Sequence, residues 1–376
     1  MITRRIFTAV LFLLFLSLGL YFTIASQDFD PVNIDNDRMT RVSIAGDEFY
    51  INDRPVYEGR KWNGHKIQGL LMNSRMVQGI FDDVNPETTG NWVYPDTGEW
   101  DPDRNTSEFI AAMAEWRDHG VLSFTLNLQG GCPYGYCQEQ PWINSAFRED
   151  GSLRPAFMQR LGRILDRADE LGMVPIIGYF YFGQDERLED EVAVTRAVDN
   201  ATEWILDQGY ENVIIEVNNE CDIQYDHEIL RCGRVAELIE RVQNITRDDR
   251  RLYAGTSLAG GRIPGSDIIG TSDFVLLHGN GVNNPDRIAE MVRDVRKDSA
   301  WSAKPILFNE DDHYEFDREW NNSVAAFSEY ASWGYFAYRE PDGPYEAGYQ
   351  SVPVDWGIST DQKREFFQFI KEVTGY

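Results

Sequence analysis

Histidine, cysteine and basic residues are all scarce in this chain. Five histidines occur in 376 residues, at positions 65, 119, 227, 278 and 313. None forms an H-E-x-x-H or H-x-H pattern, which argues against a metallohydrolase centre. The four cysteines contain no C-x-x-C pair, so a zinc site is disfavoured too. Lys and Arg number 35 against 62 Asp and Glu, a formal net charge of −27. A phosphate-tracking surface needs clustered Lys and Arg, so nucleic acid is excluded as a partner. The same charge repels anionic lipid and strongly acidic polymers over about 8 Å, the Debye length in physiological salt. No G-x-S-x-G elbow is present, and no dinucleotide or P-loop glycine pattern follows a strand. Serine-hydrolase chemistry and Rossmann or P-loop cofactors are therefore unsupported, and neither cofactor nor metal is expected. Long low-complexity tracts and short repeats are also missing.

What is present is ample apolar material. Hydrophobic residues make up 42% and aromatic residues 13%, enough for one large domain with a sizeable core. Arg4 and Arg5 precede an apolar run from Ile6 to Ala25, and the chain turns polar at Ser26. This pattern reads as an export signal over residues 1–26. The run approaches the ~20 residues that span a bilayer, so an uncleaved membrane anchor at residues 6–25 stands beside a cleaved signal peptide. Either way residues 27–376 form the working domain, outside the cytoplasm, expected as a monomer. In an oxidising compartment the simplest pairing is Cys132–Cys137 and Cys221–Cys232, although four cysteines allow three pairings and four free thiols remain an alternative. Sequons begin at Asn105, Asn200, Asn244 and Asn321 and matter only in a glycosylating host.

From about Ile67 onward short apolar runs alternate with amphipathic stretches. Strands are expected at 67–72, 121–128, 173–182, 212–218, 252–256, 274–278, 305–308 and 334–338. Pro155 to Leu171 carries Phe157, Leu161, Ile164, Leu165 and Ala168 at helical spacing, with Gly172 as a stop signal. Further helices are expected from Asn105, with Glu108 completing a capping box, and over 189–208, 228–242, 285–296 and 324–331, with a closing one around Phe366. Eight strands separated mostly by helices over some 310 residues predict an α/β fold, a (β/α)8 TIM barrel. Phe49 to Tyr57 reads as a short β-hairpin lead-in ahead of it.

Such barrels carry their active sites at the C-terminal ends of the strands. Polar residues do gather there: Arg75 after strand one, Asn127 after strand two, Asn219-Glu220 at strand four, His278 at strand six, Asn309-Glu310 at strand seven and Tyr338 at strand eight. Strand ends are also where polar loops begin, and that accounts for most of these residues singly. Asn219-Glu220 at the mouth of strand four with Glu310 at the mouth of strand seven is more specific. Here roughly residues 40–376 resemble the retaining glycoside hydrolases of the (β/α)8 clan whose acid/base and nucleophile are glutamates on strands four and seven. The resemblance implies Glu220 as acid/base, preceded by Asn219 as is common in the clan, and Glu310 as nucleophile. It also implies an Arg near the first strands beside the nucleophile, a place Arg75 could take.

Glycoside cleavage needs a carboxylic acid at the leaving oxygen and a carboxylate on the opposite face of the sugar. Glu220 would then rest protonated and Glu310 ionised, the latter helped by Arg75. Asn219 would bond the sugar 2-hydroxyl, and His278 would orient Glu310 or bind sugar. Asn127 and Tyr338 are further substrate-binding candidates. Trp92 and Trp100, with Tyr94, Tyr134, Tyr136 and Trp142, are candidate walls for stacking sugars, with plain loop packing as the alternative for each ring. A stacking Trp on strand eight, frequent in the clan, is replaced by Tyr335-Phe336-Ala337-Tyr338, with Trp333 too deep. Asp311-Asp312-His313 makes strand seven's continuation unusually polar and could hold a second role or Ca²⁺. The expected function is an exported glycosidase acting on a poly- or oligosaccharide by double displacement. A non-catalytic carbohydrate-binding barrel at the cell surface is the alternative.

Overall fold

A three-stranded antiparallel lead-in opens the structure, a computed structural model that describes residues 38–376. The export segment read at residues 6–25 lies outside the described residues. Val42–Ala45 pairs with Glu48–Ile51, which pairs with Arg54–Pro55. The last turn is made by Asn52 and Asp53 at φ 51° and 61°, the left-handed pair that a two-residue hairpin requires. Val42 N–H donates to Glu211 O, and the buried Phe49 ring meets Phe274 edge-on at 6.1 Å. Both partners precede barrel strands, so the hairpin closes the N-terminal mouth of the barrel.

The barrel strands are β1 (Asn73–Arg75), β2 (Ser123–Asn127), β3 (Val174–Tyr181), β4 (Ile214–Asn219), β5 (Tyr253–Gly255), β6 (Val275–His278), β7 (Ile306–Glu310) and β8 (Gly334–Tyr335). Parallel pairing runs β5-β4-β3-β2-β1-β8, with β6-β7 as a second parallel pair. The Leu307–Ser332 bridge joins β7 to the approach of β8, and Asp273 N–H to Ala254 O joins β5 to the approach of β6. The ring therefore closes. Each strand is followed by a helix: α1 (Pro102–Asp118), α2 (Pro155–Leu171), α3 (Glu191–Asp207), α4 (Val235–Asn244), α5 (Ser266–Thr271), α6 (Pro285–Lys297), α7 (Asn322–Ser328) and α8 (Asp361–Thr374). This is the (β/α)8 architecture expected from the alternation, and Arg38–Tyr376 is one compact unit. Among the described residues no helix is long and apolar enough to cross a membrane.

Local chemistry explains both the agreement and the departures. α2 has its predicted bounds, because its apolar face is continuous and Gly172 at φ 70° ends it. α1 begins one turn before Asn105. Asp101 accepts from the Asp103 and Arg104 amides and Pro102 occupies the first turn, so the Asn105–Glu108 box is not the cap. Asn105 is instead buried, bonding Gln78 O and Trp356 Nε1, and its sequon is closed in the fold. The helix expected over 228–242 breaks into a single turn at Glu228–Leu230 and then α4, because Cys232 is tied back to Cys221. The first strand lies at Asn73–Arg75, after the apolar 67–72 stretch, which is a buried irregular approach. Gly334 of β8 is required by packing: a Cβ there would lie 2.1 Å from Asn73 Oδ1.

Both disulfides form as the simplest reading expects, with Cα–Cα distances of 5.7 Å for Cys132–Cys137 and 4.9 Å for Cys221–Cys232. Both lie in loops of the C-terminal rim, where they brace the surroundings of the polar strand ends.

Candidate active site

Glu310 is the last residue of β7 and is 5% exposed. Its Oε1 accepts a hydrogen bond from Asn280 Nδ2, and its Oε2 forms an ion pair with Arg75 Nε at 2.9 Å while taking no hydrogen bond. Arg75, at the end of β1, is buried; burial works against its charge, and Glu310 and Glu216 more than offset that, so it stays a cation. Burial raises the Glu310 carboxyl above its ordinary value, against the pull of Arg75 and His278.

Glu220 follows β4 with φ 55°, a left-handed conformation that costs a non-glycine residue about 1–2 kcal/mol. Two restraints hold it there. Its amide donates to Ser257 Oγ at 3.0 Å, and Cys221, the next residue, is disulfide-bonded and donates to Ser257 O. The turn aims the Glu220 side chain at His278, whose Nδ1 lies 2.9 Å from Glu220 Oε1. His278 is wholly buried. A register shift between Leu277 and His278 pairs it with Glu310, from whose Oε2 its Nδ1 is 3.7 Å away. His278 thus lies closer to Glu220 than to Glu310, the partner expected for it. Burial disfavours its charge, yet Glu310, Glu220 and Glu216 together raise it above the ordinary imidazole value. Oxygen and nitrogen atoms of Glu220, His278 and Glu310 lie within 4.8 Å of one another.

The remaining predicted residues divide. Asn219 is 2% exposed and its Oδ1 has no hydrogen-bond partner. Asn127 ends β2 with both amide atoms unpaired, in space left by Gly178, where a Cβ would lie 2.3 Å from Asn127 Oδ1. Tyr338 is half-buried, its ring against Tyr136 and Phe336. Trp92 is corrected by the structure. It is fully buried, donates to Asp83 Oδ2 at 2.8 Å and is enclosed by Phe81, Tyr134 and Trp142, so no ring face is open to a sugar. Trp100 packs on the same cluster, stacked on Tyr94 and edge-on to Phe81. For these two rings loop packing is the observed role.

Two residues beside the site, Asn280 and Glu216, were not among those predicted, and Tyr136 was named only as a candidate stacking wall. Asn280 holds Glu310. Tyr136, on the Cys132–Cys137 loop, donates to Asp312 Oδ2 at 3.0 Å, and its phenol is raised by burial and by the nearby Glu310 charge. Glu216, wholly buried on β4, lies 3.8 Å from His278 Nε2. Glu216 is four residues before Glu220 in a strand of period two, and that spacing was the available signal. Asp311 and His313 form an internal network: Asp311 accepts from His313 Nδ1, Trp333 Nε1 and Asn322 Nδ2, and with Asp312 it raises the His313 imidazole to about 10. Among the described residues, two further groups besides Glu220–His278–Glu310 have donors close enough for an ion, Asp311–Asp312–His313 and Asp185–Glu186–Asp226. In the first two groups the donors already face cationic or hydrogen-bonding partners. A cavity of about 630 Å³ opens between the loops after β2, β3 and β4, lined by Gln138, Glu139, Gln140, Phe182, Glu186 and Gln224 among others, with no Lys or Arg.

No family model matches the chain, and no curated protein matches its sequence. Solved structures do match in fold. A provisionally assigned glycoside hydrolase from Bacteroides vulgatus aligns at 13% identity and TM-score 0.54, over 88% of this chain and 60% of that one. A glycoside hydrolase family 5 mannosidase from Rhizomucor miehei aligns at 12% and 0.52, over 90% and 98% of the two chains. A family 5 enzyme from Prevotella bryantii aligns at 11% and 0.51, over 81% and 96%. The likeness at these identities is one of architecture: the chain has the (β/α)8 barrel fold that these glycoside hydrolases share.

Proposed function

We propose that this protein is a glycoside hydrolase that cleaves O-glycosidic bonds of a poly- or oligosaccharide with retention of configuration. The observation that carries the reading is the pair Glu220 and Glu310 facing each other on the rim, their oxygens within 4.8 Å and their surroundings unlike. Carboxyl groups about 5–5.5 Å apart suit a covalent intermediate, whereas inversion needs about 6.5–9.5 Å to admit a water.

In this mechanism the unbonded lone pair of Glu310 Oε2 attacks the anomeric carbon while Glu220 gives its proton to the departing glycosidic oxygen. The Glu310–sugar ester forms as the glycosidic bond breaks. Glu220, now a carboxylate, takes a proton from water, whose oxygen attacks the same carbon and releases Glu310. Arg75 and Asn280 hold Glu310 against rotation, and His278 holds Glu220. The unpaired Oδ1 of Asn219 is free to accept from the sugar 2-hydroxyl. The acidic rim favours a glycan without carboxylates or sulfates. Two disulfides support a site of action in an oxidising compartment, in line with export.

The test is a pair of substitutions. Glu310→Ala should abolish turnover of all glycosides, with added azide restoring it and giving an inverted glycosyl azide. Glu220→Ala should spare aryl glycosides with good leaving groups, lose 10²–10⁴-fold on poor ones, and yield a retained azide product. Wild-type-like turnover in either variant on a natural glycan removes that residue from the mechanism. No turnover by the wild-type protein across a glycan panel, with sugar binding intact, would favour a binding barrel instead.

A further inference from the structure

Beneath the two rim glutamates lies a third carboxyl that the mechanism above does not use. Glu216 of β4 is wholly buried, and it touches both halves of the site from below. Its Oε1 accepts from Ser257 Oγ at 2.5 Å, the hydroxyl that also receives the Glu220 amide. Its Oε2 accepts from Asn309 Nδ2 at 3.2 Å, on the residue next to Glu310. Its Oε1 is also 3.8 Å from His278 Nε2, a buried nitrogen with no hydrogen-bond partner. His278 therefore has carboxylates at both ends of its ring: Glu216 at Nε2, Glu220 and Glu310 at Nδ1.

The titratable groups of this cluster come from the ends of β1, β3, β4 and β7, and the carboxylates among them act on the imidazole. Arg75 stands on β1, Tyr181 on β3, Glu216 on β4 with Glu220 and Tyr225 following it, and Glu310 on β7. The two tyrosines are neutral, since burial raises both phenols. The balance thus rests on three carboxyls and two bases. A neutral imidazole would leave Glu216 and two rim carboxyls against Arg75 alone in a water-poor interior, an arrangement that is strongly disfavoured.

We propose that Glu216 is a positioning residue that keeps His278 an imidazolium, so that the buried cluster retains a single proton shared by the rim glutamates. Full ionisation of the three carboxyls against Arg75 and His278 leaves one excess negative charge, and one proton removes it. Asn280 and Arg75 already engage Glu310. Among the described residues Glu220 is ion-paired with His278 alone. A proton held by this rim pair is the one a glycosidic leaving group needs. This inference rests on the glycosidase reading for its consequence, but not for its charge state.

Two measurements test it. In the wild-type protein, the His278 ring nitrogens followed by NMR should show an imidazolium at neutral pH, with a midpoint above the ordinary value of about 6.5. In Glu216→Gln, which retains an acceptor for Ser257, that midpoint should fall by about 1–3 pH units, the usual effect of losing a close counter-charge. The alkaline limb of kcat/KM should move to lower pH as well, because the cluster no longer needs its extra proton. A neutral wild-type His278 at pH 7 overturns the proposal, as does an E216Q variant with both midpoint and alkaline limb unmoved. If the wild-type protein cleaves no glycoside, the reading of function fails, while the imidazole titration still decides the role of Glu216. The wild-type titration needs no variant to fold.

Discussion

Replacing Arg75 by Met separates the nucleophile reading from a purely structural ion pair. Met approximates the volume of the Arg stem and removes the only guanidinium paired with Glu310 among the described residues. An opposite charge at this range lowers a carboxyl by about 1–3 pH units, so its loss should raise Glu310 further by that amount. That is about 1.4–4 kcal/mol, in line with about 3–5 kcal/mol for breaking a buried pair. The native Glu310 already lies above its unfolded value because of burial. In the variant it therefore holds a proton over a wider range in the folded than in the unfolded state. Stability is then full below the unfolded carboxyl value and is lost as pH rises through the folded one, so R75M should be penalised more at pH 8 than at pH 5. Activity should follow the same proton. Where pH lies below the new midpoint the ionised nucleophile falls tenfold per unit, giving about a 10–1,000-fold loss in kcat/KM that higher pH partly restores. Urea unfolding at pH 5 and pH 8, with the pH profile of an aryl glycoside, measures both. An acid limb in its wild-type place, together with an equal stability loss at both pH values, would refute the argument.

Two further outcomes are expected. Lys363 is wholly buried, donates to Asp355 O at 2.6 Å and lies over the Tyr349 ring; burial lowers its amine to about 7. The unfolded chain thus binds more protons between about pH 7 and pH 10, so native stability should rise with pH there, and Lys363→Met should flatten that slope. An unchanged slope in urea melts would remove Lys363 as its source. Replacing Cys221 and Cys232 by Ala should cost about 2–3 kcal/mol and also lower kcat, because the bridge braces the left-handed Glu220. Unaltered kcat in that variant would show that Ser257 alone holds the turn.

The proposed catalytic pair was legible because it follows from chain order. A polar residue ending an apolar strand run points to the rim of a parallel barrel, and Glu220 and Glu310 each end such a run. Arg75 was legible for the same reason, as were the two local disulfides. Trp92 misled because an aromatic loop residue has the same composition whether it faces a sugar or a satellite core. Only the positions of Asp83, Phe81 and Trp142 decide between the two. The first turn of α1 was misplaced because two overlapping cap signals, Asp101 and Asn105, compete, and packing of Asn105 against Trp356 selects the former.

By itself the sequence determined the alternation of strand and helix, the acidic surface and the two glutamates at strand ends, because these depend on periodicity and on residues near one another in the chain. Tertiary structure alone decided which oxygen of Glu310 meets Arg75, that His278 turns toward Glu220, and that Glu216 lies beneath both. Those contacts join β1, β4, β6 and β7 across the barrel, over 30 to more than 200 residues of chain. Strand order, the register shift at His278 and the left-handed turn at Glu220 bring them within bonding distance, and no local pattern encodes a meeting of side chains from separate strands.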